Sequence, residues 1–336
     1  MVLNSIQDIS VFPRVHALKD IKNHIYYNKN NETIFENKLF KRGCGTISLS
    51  QIFSQSDLFL EYEISGNLNA PIVIVQGGIS STKHIITTAK NQIKGWWDNI
   101  VGYDKCIDLN QYCLISCDYL SFNNVSTHDQ AAALSFLLQH LEIKNLHAFI
   151  GYSYGGMVAL AFAELNPNKV DHIIALGAAH ESVPQSYALR LIQQKIVELN
   201  KGTDKEKEAL ATARQLGIIT YRSSEEINSR FNCHEKSVVS YLKKKGDDFV
   251  STFSSERFLN LSKSINGHKV TPSKICSKKI SLICCKSDQI TPLSQINQFA
   301  KEIISPTVVY EFDSIYGHDS YLNETEKLTN ILNKIV

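Results

Sequence analysis

The sequence predicts an α/β fold with a mostly parallel sheet, helices on both of its faces and an inserted helical lid. Two observations lead to this class. Apolar runs of strand length alternate with helical patterns between residues 57 and 180, which is typical of parallel strands joined by helices. A block of helical patterns then interrupts this alternation before the strand pattern returns at residue 279.

The individual elements follow from local patterns. The predicted strands are short, apolar and rich in β-branched residues, and they cover residues 57–66, 70–78, 112–120, 146–153, 172–179, 279–288 and 307–312. The predicted helices have apolar residues at helical spacing and cover residues 129–141, 155–165, 186–199, 207–221 and 257–265. We therefore divide the chain into an N-terminal extension (1–45), a core (46–180 and 269–336) and a lid (181–268).

Composition excludes several classes of partner. The chain has 336 residues, of which 43% are hydrophobic, so one large α/β domain with an insertion can form a core. Lys and Arg number 35 against 33 Asp and Glu, and no basic stripe stands out. Nucleic acid and anionic membranes are therefore not expected as partners.

The start of the chain and its cysteines predict a cytoplasmic protein. The N-terminus lacks a basic start followed by an apolar run, and no stretch approaches the ~18 apolar residues of a membrane span. The eight cysteines show no C-x-x-C spacing. We therefore expect free thiols packed as small hydrophobic groups, and no zinc site.

Residues 149–157, FIGYSYGGM, place a serine between two tyrosines and close to three glycines. Residues 151–155 form a G-x-S-x-G motif between a predicted strand and a predicted helix, which is the setting of a nucleophile elbow. Small neighbours let the strand and helix approach each other, and the helix N-terminus favours negative charge. Ser153 is therefore the predicted nucleophile, and a glycine-rich turn with a passive serine is the alternative.

A serine nucleophile needs a base, and the base needs an acid that orients it. Asp288 ends one apolar strand and His318 follows the last strand, so both should lie at the carboxyl edge of the sheet. These two residues are the predicted acid and base, and Asp313 is the rival acid. The other histidines, including His172 and His180, are expected to be structural or exposed.

The tetrahedral intermediate of acyl transfer needs two N–H donors. We predict the backbone N–H of Tyr154, directly after the nucleophile, and that of Gly78 in the loop QGGISS, with Ile79 as the second choice. These groups define an acyl-transfer site. They do not distinguish a hydrolase from a transferase.

Three further segments carry a family resemblance. GWWDNIVGYDKCIDLNQY (95–112), ATARQLGIITYRSSEEINSRF (211–231) and GHDSYL (317–322), together with the elbow GYSYGGM, resemble homoserine O-acyltransferases of the α/β-hydrolase superfamily. The resemblance covers most of the chain from about residue 57 to the end. It implies the α/β-hydrolase fold with a helical lid.

The resemblance also implies an activity and a set of roles. An acyl-CoA co-substrate acylates the serine, and the hydroxyl group of L-homoserine then attacks the acyl-enzyme in methionine biosynthesis. Arg214 should hold the substrate carboxylate, Tyr221 should help to position it, and Asp319 should bind the α-amino group; these residue types suit those charges. No other cofactor and no metal is expected. A homodimer formed through lid helices is expected.

The acyl donor and the acceptor stay open. In the resembling family an arginine just after the acid accompanies succinyl-CoA, whereas an apolar residue accompanies acetyl-CoA. Ile290 occupies this position here, so acetyl-CoA is favoured and succinyl-CoA comes close behind. L-Serine is the alternative acceptor.

Two other functions compete with the transferase. An esterase or aminopeptidase would use the same three residues with water as the acceptor. A hydrolase-like binding protein is the non-enzymatic alternative. It is disfavoured because Ser153, Asp288 and His318 all stand in the order that the catalytic site requires.

Overall fold

The computed structural model describes residues 41–55, 57–89, 91–231 and 234–336. Most of the predicted N-terminal extension therefore lies outside the described residues, and so does Cys233. The described end of that extension begins a strand, Gly43–Ser48, which the sequence analysis did not predict. The role of the extension stays a prediction.

The described part contains ten strands and ten α-helices. The strands are β1 (Gly43–Ser48), β2 (Phe59–Gly66), β3 (Ile72–Gln76), β4 (Val101–Gly102), β5 (Ile107–Asp108), β6 (Cys113–Cys117), β7 (Leu146–Tyr152), β8 (Val170–Leu176), β9 (Lys279–Cys285) and β10 (Thr307–Phe312). The helices are α1 (Thr127–His140), α2 (Tyr154–Leu165), α3 (Pro184–Glu198), α4 (Glu206–Tyr221), α5 (Ser224–Phe231), α6 (Glu235–Val250), α7 (Ser255–Asn266), α8 (Leu293–Glu302), α9 (Ser320–Asn323) and α10 (Thr325–Leu332).

Eight strands form one sheet in the order β1-β2-β6-β3-β7-β8-β9-β10. The pairs β1–β2 and β2–β6 are antiparallel. All later neighbours are parallel, so the carboxyl ends of β3, β7, β8, β9 and β10 share one edge. The predicted fold class is confirmed, and each of the seven predicted strands is present.

Both faces of the sheet are buried, which explains the unbroken apolar runs of its central strands. Ile74 and Phe149 belong to the core on one face. Val73, Val75 and Ile150, their neighbours along the same strands, belong to the core on the other face. The strands that carry the candidate site are therefore held from both sides.

Five helices, α3 to α7, occupy the segment between β8 and β9, where the lid was predicted. The sequence analysis predicted α3, α4 and α7 but did not name α5 and α6. An isolated antiparallel bridge between Glu181 and Lys269 joins the two ends of this segment. The boundaries of the lid as a separate unit stay a prediction.

Helix α3 exposes a stripe of apolar residues to solvent, although Val197 near its end is buried. The exposed fractions are 45% for Tyr187, 39% for Leu191 and 51% for Ile192. The buried residues of this helix are mainly polar: Ser186, Arg190, Gln193, Gln194 and Val197. Packing on the protein's own core therefore does not explain the apolar pattern of α3.

The cysteines and the lengths of the helices can be compared with the expectations from composition. The seven described cysteines are free, and four of them are buried. Burial raises the pKa of the Cys113 thiol to about 12, so this thiol stays protonated. Within the described ranges, no helix is both long and apolar enough to cross a membrane. The cytoplasmic location stays a prediction.

Two buried histidines, His268 and His172, form hydrogen bonds inside the protein. His268 lies between the Thr127 hydroxyl, 2.8 Å from Nδ1, and the Ala179 carbonyl, to which Nε2 donates over 3.1 Å. Burial lowers the pKa of His268 to about 3, and burial lowers that of His172 to about 4. Both side chains are therefore neutral in the folded protein at neutral pH.

We expect the free energy of unfolding to fall as the pH drops from 6.5 towards 4. The unfolded chain takes up protons on these histidines near the ordinary pKa of 6.5, whereas the folded chain does not, so stability is greatest above pH 6.5. Each histidine contributes a slope of up to about 1.4 kcal/mol per pH unit. Urea unfolding of His268→Asn between pH 7.5 and 5 should show a shallower slope than the parent. The exposed His234→Asn variant is the control, and equal slopes for His268→Asn and the parent would contradict the assignment.

Candidate active site

The nucleophile elbow is a sharp turn between β7 and α2. Ser153 adopts φ 53° and ψ −115°, a conformation that is rare for a residue with a side chain. A Cβ atom on Gly151 would lie 2.2 Å from the Gly155 carbonyl oxygen, and one on Gly155 would lie 2.2 Å from the Gln76 carbonyl oxygen. Only glycine allows this approach of strand and helix. The Ser153 N–H donates to the Leu176 carbonyl over 2.8 Å and holds the turn.

Ser153, His318 and Asp288 form a continuous hydrogen-bonded chain. The Ser153 hydroxyl is 2.7 Å from His318 Nε2, and His318 Nδ1 is 2.7 Å from Asp288 Oδ2. Because the carboxylate only accepts, Nδ1 carries the proton and Nε2 is free to accept from the serine. His318 and Asp288 are 2% and 3% exposed. The structure thus brings together three residues that are far apart in the chain.

The loop after β9 holds the carboxylate of Asp288. The other carboxylate oxygen, Oδ1, accepts from the backbone N–H groups of Ile290 (2.8 Å) and Thr291 (3.1 Å). The Tyr321 hydroxyl lies 3.4 Å from Oδ2. These donors fix the orientation of the acid.

Aromatic rings enclose the imidazole of His318. The ring centroids of Tyr152, Tyr221 and Tyr321 lie 5.6, 5.8 and 6.0 Å from that of the histidine. The Tyr152 hydroxyl also donates to the His318 carbonyl over 3.2 Å. Burial raises the pKa of the Tyr152 and Tyr321 hydroxyl groups well above the ordinary value, so both remain neutral donors.

Two backbone N–H groups near the serine are free to donate. Those of Tyr154 and Gly78 have no hydrogen-bond acceptor among the described residues. Gly155 N–H donates to the Gly77 carbonyl over 3.0 Å, which ties the elbow to the loop after β3. A Cβ atom on Gly78 would come within 3.6 Å of the Tyr152 ring, so this glycine lies next to the elbow. This arrangement suits an oxyanion hole.

Arg214 extends from α4 without an acidic partner. Its guanidinium lies 4.9 Å from the centroid of the Phe249 ring and 5.8 Å from that of Tyr221. Among the described residues it forms no ion pair. Since Tyr221 also faces His318, this free cation lies close to the hydrogen-bonded chain.

Asp319 already has a cationic neighbour, which the sequence analysis missed. Arg222 Nε donates to Asp319 Oδ2 over 2.7 Å, and Arg222 Nη1 donates to Glu226 Oε1 over 3.0 Å. Burial works against the charge of Arg222, but Asp319, Tyr241 and Glu226 together raise the pKa of this guanidinium. Asp319 Oδ1 accepts no hydrogen bond from the described residues. The only signal for Arg222 was its place in the string ITYRS, and nothing singled out Glu226.

The rival residues lie elsewhere. Asp313 pairs with Lys286 over 3.2 Å and its side chain is 81% exposed. It is therefore not the acid that bonds to His318. His172 is bonded to the Ser281 hydroxyl over 2.8 Å, and His180 Nε2 lies 3.6 Å from the Glu181 carboxylate. Neither histidine contacts the elbow serine.

The described residues contain no cluster of three or more His, Cys, Asp or Glu side chains that could hold a metal ion. The side chains around Ser153 are instead suited to transfer of an acyl group. The site provides a hydroxyl next to an oriented base, free backbone N–H donors and the unpaired cation of Arg214.

Comparison with known proteins now defines the class. Residues 105–325 match the family model described as the alpha/beta hydrolase fold, so the chain is an α/β-hydrolase-fold protein. The homoserine O-succinyltransferase of Xanthomonas campestris pv. campestris is 31% identical over 291 residues, which cover 83% of this chain and 79% of that protein. The chain belongs to the homoserine O-acyltransferase family within this fold class, and the resemblance seen in the sequence is confirmed.

Two other proteins show the range of this similarity. The serine O-succinyltransferase of Xylella fastidiosa is 28% identical over 323 residues, covering 78% of this chain and 87% of that protein. The crystal structure of homoserine O-acetyltransferase from Bacillus anthracis superposes with a TM-score of 0.76 at 19% identity, covering 82% of this chain and 91% of the other. At this identity the superposition supports the fold alone.

We expect Gly151→Ala to destabilise the protein by about 2–4 kcal/mol, because the new methyl group would overlap the Gly155 carbonyl and force the elbow apart. The control is Gly267→Ala at the end of α7, where the nearest atom would be 3.4 Å away and the backbone is ordinary. Urea unfolding monitored by circular dichroism measures both variants. Equal stability of the two variants would argue against the tight elbow.

Proposed function

We propose that the protein is an acyl-CoA:L-homoserine O-acyltransferase that works through an acyl-serine intermediate. The observation that carries this proposal is the hydrogen-bonded chain Ser153–His318–Asp288 in a member of this family. In this proposal Ser153 is the nucleophile, His318 is the base and Asp288 is the orienting acid. The product, an O-acylhomoserine, would enter methionine biosynthesis.

The first half-reaction transfers the acyl group to the enzyme. Ser153 Oγ attacks the thioester carbonyl carbon while His318 Nε2 takes the hydroxyl proton. The N–H groups of Tyr154 and Gly78 donate to the oxyanion that forms. The carbon–sulfur bond then breaks, and the sulfur of CoA receives the proton from His318. The acyl-enzyme and free CoA remain.

The second half-reaction runs the same steps with a different nucleophile. The hydroxyl of the amino acid enters where CoA left and gives its proton to His318. The oxygen of this hydroxyl group attacks the carbonyl carbon of the acyl-enzyme. The bond to Ser153 Oγ then breaks, and this oxygen regains the proton. The enzyme returns to its starting state, so the kinetics should be of the ping-pong type.

The amino-acid acceptor carries one carboxylate and one ammonium group. Arg214 has no acidic partner among the described residues, which supports a role in binding the carboxylate, with Tyr221 beside it. Asp319 has one free carboxylate oxygen, which supports a role in binding the ammonium. Arg222 would then orient Asp319 from the opposite side. L-Serine stays the alternative acceptor because it carries the same charged groups on a shorter chain.

The assay of choice is release of CoA, followed with a thiol reagent. Acetyl-CoA and succinyl-CoA are each combined with L-homoserine, L-serine or no acceptor. We expect release that depends on L-homoserine. Ser153→Ala should lower kcat by at least about 10⁴-fold, because the covalent intermediate cannot form. The exposed Ser251→Ala variant is the control.

Each other outcome of this assay has a clear meaning. Release that is independent of the acceptor would replace the transferase with a thioesterase, with water as the second nucleophile. Release that depends on L-serine alone would change the acceptor but keep the mechanism. Full activity of Ser153→Ala would remove the proposed nucleophile.

We further propose a homodimer that forms through the apolar face of α3. The exposed side chains of Tyr187, Leu191 and Ile192 support this arrangement, because a monomer rarely leaves such a stripe in water. A second copy of the chain would present the same stripe across a two-fold axis. Helix α3 belongs to the lid, through whose helices the family resemblance leads us to expect a dimer.

We expect the parent protein to have twice the chain mass of 37.8 kDa in solution at micromolar concentration. Ile192→Glu should shift it to the monomer, because a charge would be buried without a partner. Val239→Glu, an exposed apolar residue on α6, is the matched control and should remain dimeric. Size-exclusion chromatography with light scattering measures the mass. A monomeric parent, or a dimeric Ile192→Glu, would contradict the proposed interface.

A further inference from the structure

Arg190 is a buried cation without an acid. Its side chain lies on the polar inner face of α3 and is only 7% exposed. Among the described residues it forms no ion pair, although buried charges in proteins are usually paired. Burial lowers the pKa of its guanidinium, but an arginine remains protonated at neutral pH.

The hydrogen bonds of Arg190 use only part of its donor set. Nη1 donates to Asn266 Oδ1 over 2.6 Å and lies 3.5 Å from the Ser182 hydroxyl. Nε and Nη2 have no acceptor among the described residues, and neither is fully enclosed by protein atoms. Two parallel N–H donors of this kind match the two oxygens of a carboxylate.

Arg190 lies next to the candidate active site. Ser186, one helical turn earlier, donates to the Ile290 carbonyl over 2.9 Å, and the N–H of Ile290 donates to Asp288. Tyr221 is close enough to act electrostatically on Arg190. The ring of Tyr221 in turn lies 5.8 Å from that of His318. The inner face of α3 therefore contacts the acid loop through Ser186, and Arg190 is within electrostatic range of Tyr221, whose ring faces the imidazole.

Two guanidinium groups near the site thus lack an acidic partner. Arg214 is assigned to the amino acid under the proposed function. An acetyl group would leave Arg190 unpaired throughout the reaction, because acetyl transfer to homoserine brings only one carboxylate to the acyl-enzyme. An acyl group that ends in a carboxylate would satisfy both cations.

We propose that Arg190 binds a carboxylate at the far end of the acyl chain, so that the donor is the CoA thioester of a short dicarboxylic acid of succinyl size. The apolar Ile290 then contacts the methylene groups of that chain, and the positive charge comes from α3 instead of position 290. This inference rests on the proposed function and deepens it. It also reverses the preference for acetyl-CoA that Ile290 suggested in the sequence.

The test compares donors that differ by one charged group. Butyryl-CoA carries a methyl group where succinyl-CoA carries its carboxylate. We expect kcat/KM for succinyl-CoA to exceed that for butyryl-CoA by about 10- to 100-fold at saturating L-homoserine, as a charge-assisted hydrogen-bonded pair provides. The kcat/KM for acetyl-CoA should be similar to that for butyryl-CoA, because acetyl-CoA also lacks the second carboxylate.

Arg190 variants connect this ratio to one side chain. Arg190→Gln should bring the succinyl-to-butyryl ratio close to 1, and Arg190→Lys should restore part of it because the charge returns. Lys195→Gln removes an exposed cation from the same helix and should keep the parent ratio. A ratio of two rate constants does not change when a variant is merely less well folded.

The outcomes separate this inference from the function on which it rests. A parent enzyme that transfers butyryl as efficiently as succinyl groups to homoserine, or an Arg190→Gln variant with the parent ratio, overturns the role of Arg190 and leaves the transferase intact. Absence of homoserine-dependent CoA release with every donor overturns the proposed function and this inference with it.

Discussion

The close approach of β3, β7 and α2 at the elbow is the constraint on which the site depends. At Gly151 and Gly155, one added carbon would lie 2.2 Å from a backbone oxygen, so these segments pack backbone against backbone with no room for a side chain. Ser153 is consequently held at φ 53°, a strained angle that the surrounding backbone hydrogen bonds maintain. The same geometry leaves the N–H of Tyr154 at the start of α2 without an acceptor. The proposed nucleophile and one proposed oxyanion donor are therefore products of one turn.

The parallel sheet brings the remaining groups to that turn. β7, β9 and β10 end at one edge, so residues that follow each strand converge there although the chain separates Ser153 from His318 by 165 positions. The loop after β9 then holds Asp288 through two backbone N–H donors. Catalytic geometry thus depends on backbone hydrogen bonds and strand ends, and the sheet, buried on both faces, keeps these in place.

The sequence predicted those parts of the molecule whose structure depends on residues close together in the chain. Buried strands are short apolar runs, and the elbow needs glycines at fixed spacing, so the sheet, Ser153, Asp288 and His318 could be named from the sequence. The pair Arg222–Glu226 and the orientation of α3 could not. Periodicity shows that two faces of a helix differ, but the faces of α3 are set by its neighbours. Likewise, whether Arg190 has an acidic partner is a property of the folded chain alone.

Several departures from ordinary protein structure lie at the elbow and in the helical segment between β8 and β9. They are the strained Ser153, the unpaired Arg190, the polar inner face of α3 and the free oxygen Oε2 of the buried Glu226. Each raises the free energy of the folded protein, and none helps the core to pack. Such features persist where ligand binding or chemistry compensates for them. A cation on α3 that has no acidic partner among the described residues, on a helix that contacts the Asp288 loop through Ser186, is what the proposed binding of an anionic acyl group requires.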